Sequence, residues 1–209
     1  MTQREPAFDT SAALSAISDS EAITRRSTAP NPPILYLLWG TVYALGYLAL
    51  HAALFDWAPV SLPLALTLFA ALTVAGAAVS TVLGIRAGKE LRGTSSRRGM
   101  LYGLAWAAGM VSVGFIVVAL LRLDLAPATL VWLASAVGTL LVGILFAAGG
   151  AIFLDRATFL QGIALLAANL ISVLVGPGPL VLFGWLAACA VLFAGAGIEA
   201  RRSVTGSRR

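Results

Sequence analysis

Four polar side chains within long apolar stretches are the residues of this chain best suited to bind or relay something. Tyr43, Tyr47 and His51 recur every fourth position, so a helix would place them on one face. Asn169 lies in another apolar stretch, where an amide that faced lipid would lack hydrogen-bond partners. The four are therefore the candidate lining of a polar cavity. The alternative is that they pack between helices or anchor a helix at the membrane surface.

A second candidate is the charged pair Asp155-Arg156, which separates two apolar stretches and so marks a very short turn. One interpretation is that the pair locks this turn by pairing with the central basic loop or the N-terminal segment. The other is that it contacts a cytoplasmic partner.

Catalytic, metal and cofactor chemistry find little support in the sequence. His51 is the only histidine, Cys189 the only cysteine, and Lys89 the only lysine. A lone histidine without cysteine or carboxylate neighbours is not a zinc site. Motifs of hydrolases, metalloproteases and phosphate-binding loops are absent from the sequence. We expect no enzyme activity, no metal and no cofactor.

The composition indicates a membrane protein. Of 209 residues, 59% are hydrophobic and 11% charged, whereas soluble domains carry about 25% charged residues. A net charge of +5 is compatible with nucleic acid binding. The charges flank apolar stretches instead of forming one face, however, so we expect no nucleic acid partner.

The apolar stretches predict an all-α protein of six transmembrane helices arranged as three hairpins. Each is close to the length of about 20 residues that crosses the hydrocarbon core. A polar segment, 1–33, precedes them and contains a short amphipathic helix, and a basic tail, 199–209, follows. The predicted spans within the transmembrane domain 34–198 are 34–54, 60–85, 100–121, 128–154, 158–175 and 180–198.

The charges predict the orientation of the six spans. The loop from Arg86 to Arg98 carries five of the 14 Lys and Arg residues. With the other segments on the same side the count reaches 13, against Arg122 alone on the opposite side. Because positive loops stay in the cytoplasm, we expect both termini to be cytoplasmic and the protein to lie in the plasma membrane. The basic loop would also attract anionic lipid headgroups.

Two patterns concern helix pairing. Asp56-Trp-Ala-Pro59 is echoed by Asp124-Leu-Ala-Pro127, which suggests that the first two hairpins are repeats; convergence of turn chemistry is the alternative. Small residues recur every fourth position in the second span, which favours either intramolecular packing or a homodimer seam. This ridge consists of Gly76, Ser80, Gly84 and Gly88. Gly149-Gly150 is expected to allow a close helix crossing or a bend.

Three sequence phrases together resemble a group of small six-span membrane proteins of actinobacteria, loosely labelled hypothetical membrane proteins or transporters. They are Leu35-Tyr36-x-x-Trp39-Gly40, Ser96-Arg97-Arg98-Gly99-Met100-x-Tyr102-Gly103 and Gly149-Gly150-Ala151-Ile152-Phe153-x-Asp155-Arg156. The resemblance implies membrane location and span count, and it implies no catalytic residue.

Two functions therefore stand as hypotheses. The first is a small transporter-like or permease-like element for an apolar or amphipathic solute, whose cavity Tyr43, Tyr47, His51 and Asn169 would line. The second is a non-transporting membrane protein that binds lipids or a protein partner through its basic cytoplasmic face.

Overall fold

The structure of the chain is a computed structural model that describes residue 11 and residues 32–88 and 94–206. These residues form helices and turns and contain no strand, so the predicted all-α class is confirmed. Six helices are long and apolar enough to cross a membrane. They are α1 (Pro32–Phe55), α2 (Leu62–Gly88), α3 (Thr94–Leu120), α4 (Pro127–Ile152), α5 (Arg156–Val175) and α6 (Val181–Gly206).

The helix bounds differ from the predicted spans chiefly at the charged ends. The third helix begins at Thr94 instead of Met100, and the sixth continues to Gly206 beyond the predicted end at Ile198. Charged residues mark the edge of the apolar stretch but do not stop a helix, because arginine is a good helix former. The amphipathic helix predicted within 1–33 lies outside the described residues, apart from Ser11.

The fourth helix ends at Ile152, two residues before the predicted end, for a local reason. Leu154 has a φ of 54°, a left-handed conformation that cannot continue the helix. The Asp155 N–H donates to the Gly150 carbonyl and the Leu154 N–H to the Ala151 carbonyl. This pattern is the Schellman motif, in which glycine usually occupies the left-handed position. Leucine stands there instead.

The turns after α1 and α3, which carry the repeated sequence, both begin with an aspartate in the left-handed region. Asp56 has a φ of 52° and Asp124 a φ of 48°. Aspartate tolerates this left-handed region better than most residues. The following prolines differ, however. Pro127 is the first residue of α4, whereas Pro59 precedes α2 by three residues. The two turns therefore share their first residue and diverge before the next helix.

The helices form a central group and a periphery. The core contains side chains of α1, α4, α5 and α6. Helix α2 packs on α1, and α3 packs on α4. Among the described side chains, α2 buries Ala65 and Gly76, and α3 buries none. Both peripheral helices are nevertheless apolar along their length, so lipid must cover most of their surface.

Glycines set the closest crossing, between α4 and α5. A Cβ at Gly150 would collide with the Phe159 backbone, and one at Gly162 with the Ala147 backbone. The expectation of a close crossing at Gly149-Gly150 is therefore confirmed. At Gly149 the atom in the way is the Tyr102 hydroxyl of α3, which donates to the Leu145 carbonyl at 2.6 Å.

The small-residue ridge of α2 serves packing within the chain over part of its length. Gly76 lies against Val42 and Trp39 of α1, and the Trp39 indole N–H donates to the Ser80 hydroxyl at 3.0 Å. Nothing lies within 4 Å of a Cβ placed at Gly84. Gly84 thus has no neighbour among the described residues, and the prediction of a homodimer seam concerns this part of the ridge.

Candidate functional site

Tyr43, Tyr47 and His51 lie in a column of aromatic rings. The Tyr47 ring stacks on Trp185 of α6 with centroids 4.8 Å apart and on Tyr43 at 5.9 Å. Phe69 of α2 closes the column from the side, 5.4 Å from the Tyr47 ring. Tyr47 and His51 are buried, with 5% and 6% of their surface exposed. These side chains pack against one another in the core, and rings occupy the space between them.

His51 connects three segments through both ring nitrogens. The Trp57 indole N–H, in the turn after α1, donates to Nδ1 at 2.7 Å. Nδ1 is therefore the acceptor, and the proton must reside on Nε2. Nε2 lies 2.8 Å from the Pro179 carbonyl, to which it donates. The only histidine thus joins the end of α1 to the residues that precede α6, in its neutral form.

Asn169 lies on a different helix from the other three candidates. It belongs to α5 and is buried, with 8% of its surface exposed, as the cost of an amide in lipid predicts. The rings of the aromatic column come from α1, α2, α6 and the turn after α1. The structure therefore brings Tyr43, Tyr47 and His51 together, and it places Asn169 on α5, which contributes no ring to this column.

Helix α5 carries a polar residue that the sequence reading missed. Gln161 is eight residues before Asn169 and eleven before Ser172, so all three share one face, and all three are buried. Neither atom of the Gln161 side-chain amide has a hydrogen-bond partner among the described residues, nor has the Ser172 hydroxyl. Gly195 of α6 makes room for the amide. The signal in the sequence was the helical register with Asn169.

Indole N–H groups link the start of α4 to the end of α5 and to the start of α6. Trp132 donates to the Ser172 carbonyl at 2.9 Å, and Trp185 donates to the Ser135 hydroxyl at 3.0 Å. Ser135 in turn donates to the Trp132 carbonyl. Tryptophans near span ends favour interfacial anchoring, yet these two also satisfy polar groups between helices. Sequence alone gave no indication of their partners.

Asp155 occupies the first of the two predicted turn positions and is the N-cap of α5. Its carboxylate accepts from the Ala157 N–H at 3.0 Å and from the Thr158 hydroxyl at 2.6 Å. It also lies 3.5 Å from the Arg202 guanidinium of α6. Asp155 therefore caps α5 at this turn, and its ionic partner among the described residues is on α6. The predicted partners, the central loop and the N-terminal segment, lie largely outside the described residues.

The contacts of Asp155 control its ionisation. Partial burial alone would raise the pKa of the carboxyl, but the Thr158 hydroxyl, the Ala157 N–H and Arg202 outweigh it and hold the pKa below its usual range. The carboxylate is thus charged wherever the helices are folded at neutral pH. These hydrogen bonds continue to α1, since the Tyr36 hydroxyl lies 3.5 Å from the Thr158 hydroxyl.

Arg156 is the second predicted turn residue, and its side chain points elsewhere. It lines a surface cleft of about 400 Å³ with Gly150, Ala151, Leu154 and Phe159. Its guanidinium makes no ion pair or hydrogen bond with the described part of the chain. The pair Asp155-Arg156 therefore divides into a carboxylate that holds α5 and α6 and a guanidinium that faces outward.

Charge differs strongly between the two ends of the helices. Contacts between helices show that the start of α1, α3 and α5 and the end of α2, α4 and α6 lie at the same end of the protein. We call this the Arg-rich end. Its described side chains include Arg86, Arg97, Arg98, Arg156, Arg201 and Arg202, all exposed, together with Asp155 and Glu199. Six positive and two negative charges give +4, whereas Arg122, Asp56 and Asp124 give −1 at the opposite end.

The fold and this charge distribution define the class of protein as a multi-pass integral membrane protein. No protein-family model, curated protein or solved structure matches the chain. Among the described residues, no group of three or more His, Cys, Asp or Glu side chains could hold a metal ion.

Proposed function

We propose that this protein is a non-transporting membrane protein that binds anionic phospholipid headgroups through its Arg-rich end, and that this end faces the cytoplasm. The observation that carries the proposal is the charge of +4 on the described side chains of one end against −1 at the other. The arginines lie where apolar helices end, which is the depth of the headgroup phosphates.

The strength of such an interaction follows from the number of arginines. Each Lys or Arg close to an anionic membrane surface contributes about 1 kcal/mol. Arg86, Arg97 and Arg98 are exposed and make no ion pair with any described residue. Their guanidinium groups are therefore available to bind lipid phosphates.

The packing of the core supports a non-transporting role. Tyr43, Tyr47 and His51 were the candidate lining of a solute cavity, and their rings are in contact with Phe69 and Trp185. A solute passing there would have to separate stacked rings and break the His51 hydrogen bonds. Closely packed interiors resist such a change.

The test is the lipid composition around the purified protein. The native chain is reconstituted in nanodiscs that contain phosphatidylglycerol and phosphatidylcholine. The protein is then extracted into detergent, and the amount of each lipid that remains bound to it is measured. We expect enrichment of phosphatidylglycerol that weakens with salt. The triple variant Arg86→Gln, Arg97→Gln, Arg98→Gln should lose most of the enrichment. Nanodiscs avoid any effect of the substitutions on membrane orientation.

The matched control is Arg122→Gln, which removes the arginine of the opposite end. It should leave the enrichment unchanged. Equal lipid composition for the native chain and the triple variant would refute the proposal.

A transporter-like activity for an amphipathic solute is the second candidate, and the polar face of α5 favours it. Gln161, Asn169 and Ser172 are buried on that face, and the Gln161 amide is unsatisfied among the described residues. Buried polar groups within a membrane often mark a solute pathway. The aromatic column of α1 argues against this candidate, since it closes the route that the sequence suggested.

Flux measurements separate the two candidates. Proteoliposomes containing the native chain, Gln161→Leu or Asn169→Leu would be tested with a panel of amphipathic solutes. Flux that exceeds empty liposomes and falls in both variants would favour transport. Equal flux in all samples would favour the lipid-binding function.

A further inference from the structure

The cleft beside Arg156 has the features of a binding site for a lipid phosphate. We propose that it holds the phosphodiester group of one anionic glycerophospholipid, bound by Arg156, with an acyl chain lying on Leu154 and Phe159. This inference rests on the proposed function and assigns it one specific site. Four properties of the α4–α5 turn carry it.

The first property is the chemistry of the cleft. Its volume of about 400 Å³ lies within the range of small-ligand pockets, about 300–1,000 Å³. Arg156 is the only charged residue among the described residues that line it, and the other four are apolar or glycine. A guanidinium presents a planar fork that matches two phosphate oxygens, and the apolar walls match an acyl chain. An amphiphile with a phosphate group fits both.

The second property is the separation of Asp155 from Arg156. The Asp155 carboxylate is engaged by Ala157, Thr158 and Arg202 and does not pair with Arg156. The Arg156 guanidinium has no acidic partner among the described residues. An anion from outside the chain would therefore meet a positive charge that no described carboxylate compensates.

The third property is Leu154 itself. It is 86% exposed and has left-handed backbone geometry, which costs a leucine about 1–2 kcal/mol. Glycine would adopt the same geometry without this cost. An exposed leucine gains nothing from the protein in return. Contact with lipid at the boundary between headgroups and acyl chains would provide the gain.

The fourth property is the rigidity of the cleft. The Schellman hydrogen bonds fix the turn, and Gly150 lets the Phe159 backbone approach α4 closely. The floor of the cleft is therefore part of the close α4–α5 crossing. Its shape is set before a lipid arrives, which reduces the entropic cost of binding.

The experiment uses native mass spectrometry of the full chain in detergent, titrated with phosphatidylglycerol or phosphatidylcholine. We expect one phosphatidylglycerol per chain to be retained preferentially. Arg156→Gln should lower its apparent affinity about fivefold, the effect expected for one arginine near an anionic headgroup. Arg156→Lys should restore only part of the affinity, because lysine lacks the planar fork.

Two further variants make the result specific. Arg122→Gln removes the same charge from the opposite end of the protein and should leave the single retained lipid in place. Leu154→Gly should weaken retention while raising the thermal stability of the lipid-free chain. Equal losses for Arg156→Gln and Arg122→Gln would overturn the site, and a phosphatidylglycerol preference that the triple variant Arg86→Gln, Arg97→Gln, Arg98→Gln abolishes would leave the proposed function standing. If phosphatidylglycerol and phosphatidylcholine are retained equally by every chain, both fail.

The source of the phosphate is tested with soluble anions. Glycerol phosphate and inorganic phosphate, added in excess, should displace the retained lipid poorly because they lack acyl chains. Tight binding of inorganic phosphate alone to the Arg156 site, with no gain from the acyl chains, would overturn the assignment to a lipid.

Discussion

His51 shows how a residue with catalytic potential can serve as a brace. Its two ring nitrogens accept from Trp57 and donate to Pro179, and its ring lies 4.6 Å from that of Phe55. The sequence placed it in a candidate cavity with Tyr47. The pairing of His51 with Pro179 could not be inferred from the sequence, since the two residues are 128 positions apart.

We expect His51→Ala to destabilise the protein by about 2 kcal/mol or more, since two hydrogen bonds of about 1 kcal/mol each are lost. Trp57→Phe removes one of them and should cost about 1 kcal/mol. The measurement is unfolding in mixed micelles of the two single variants and the double variant. Because both single changes remove the bond between Trp57 and His51, their effects should add to more than the effect of the double variant. Simple additivity would contradict the brace.

Asp155 predicts a dependence of stability on pH. Its folded-state pKa lies below the usual carboxyl value of 3.8. A lowered pKa contributes stability that is fully present above that value and is lost as the pH falls through the folded-state pKa. Unfolding in mixed micelles from pH 7 to pH 2.5 should therefore show a loss of stability at the acid end. Asp155→Asn should be less stable at pH 7 and show a smaller loss; an unchanged acid profile would contradict the assignment.

At the scale of helices, the crossing of α4 and α5 depends on glycine at particular positions. We expect Gly150→Ala and Gly162→Ala to destabilise the protein by about 1–3 kcal/mol, the usual cost of overpacking. In both cases the added Cβ meets backbone atoms of the facing helix, which cannot rotate away. The measurement is the unfolding midpoint in detergent.

The matched controls are glycines of α3. A Cβ at Gly103 or Gly114 has nothing within 4 Å, so Gly103→Ala and Gly114→Ala should be neutral or stabilising by up to about 1 kcal/mol. All six helices look alike in apolar content, and glycine occurs in each. Which glycines matter depends on which helix faces they lie on, and this becomes known only when the helices are assembled.

Helix α3 is attached to the rest of the protein along one side only. Its Tyr102 hydroxyl donates to Leu145 of α4, and its Trp106 ring lies 5.9 Å from Phe146. Tyr102→Phe should therefore loosen α3 more than the other helices. Hydrogen exchange of α3 amides in nanodiscs should rise in this variant while that of α5 stays the same. Unchanged exchange in α3 would show that the tyrosine is not its main attachment.

At the scale of the whole molecule, the charge difference between the ends predicts orientation. In a Cys189→Ser background, Leu123→Cys should react with a membrane-impermeant maleimide in intact cells, because Leu123 is 61% exposed at the end opposite the Arg-rich end. Ala200→Cys, near the end of α6, should react only after permeabilisation. The reverse pattern would place the Arg-rich end outside the cytoplasm and would contradict the positive-inside prediction.

The sequence by itself determined the class of protein, because six apolar stretches of spanning length leave lipid as the only suitable solvent. It also indicated the turns at Asp56 and Asp124 through a repeated motif, and the turn at Asp155 through its position between two spans. These are local properties, fixed by composition and by residues close together in the chain.

Only the tertiary structure decided which helices are central and which polar groups meet. In a membrane, every span is apolar all round, so hydrophobic periodicity does not reveal the buried face. The partners of His51 and Asp155, the burial of Gln161 and the outward direction of Arg156 depend on contacts between helices far apart in sequence. The same four residues could have lined a cavity, but packing placed three of them in one column of rings and buried Asn169 on α5.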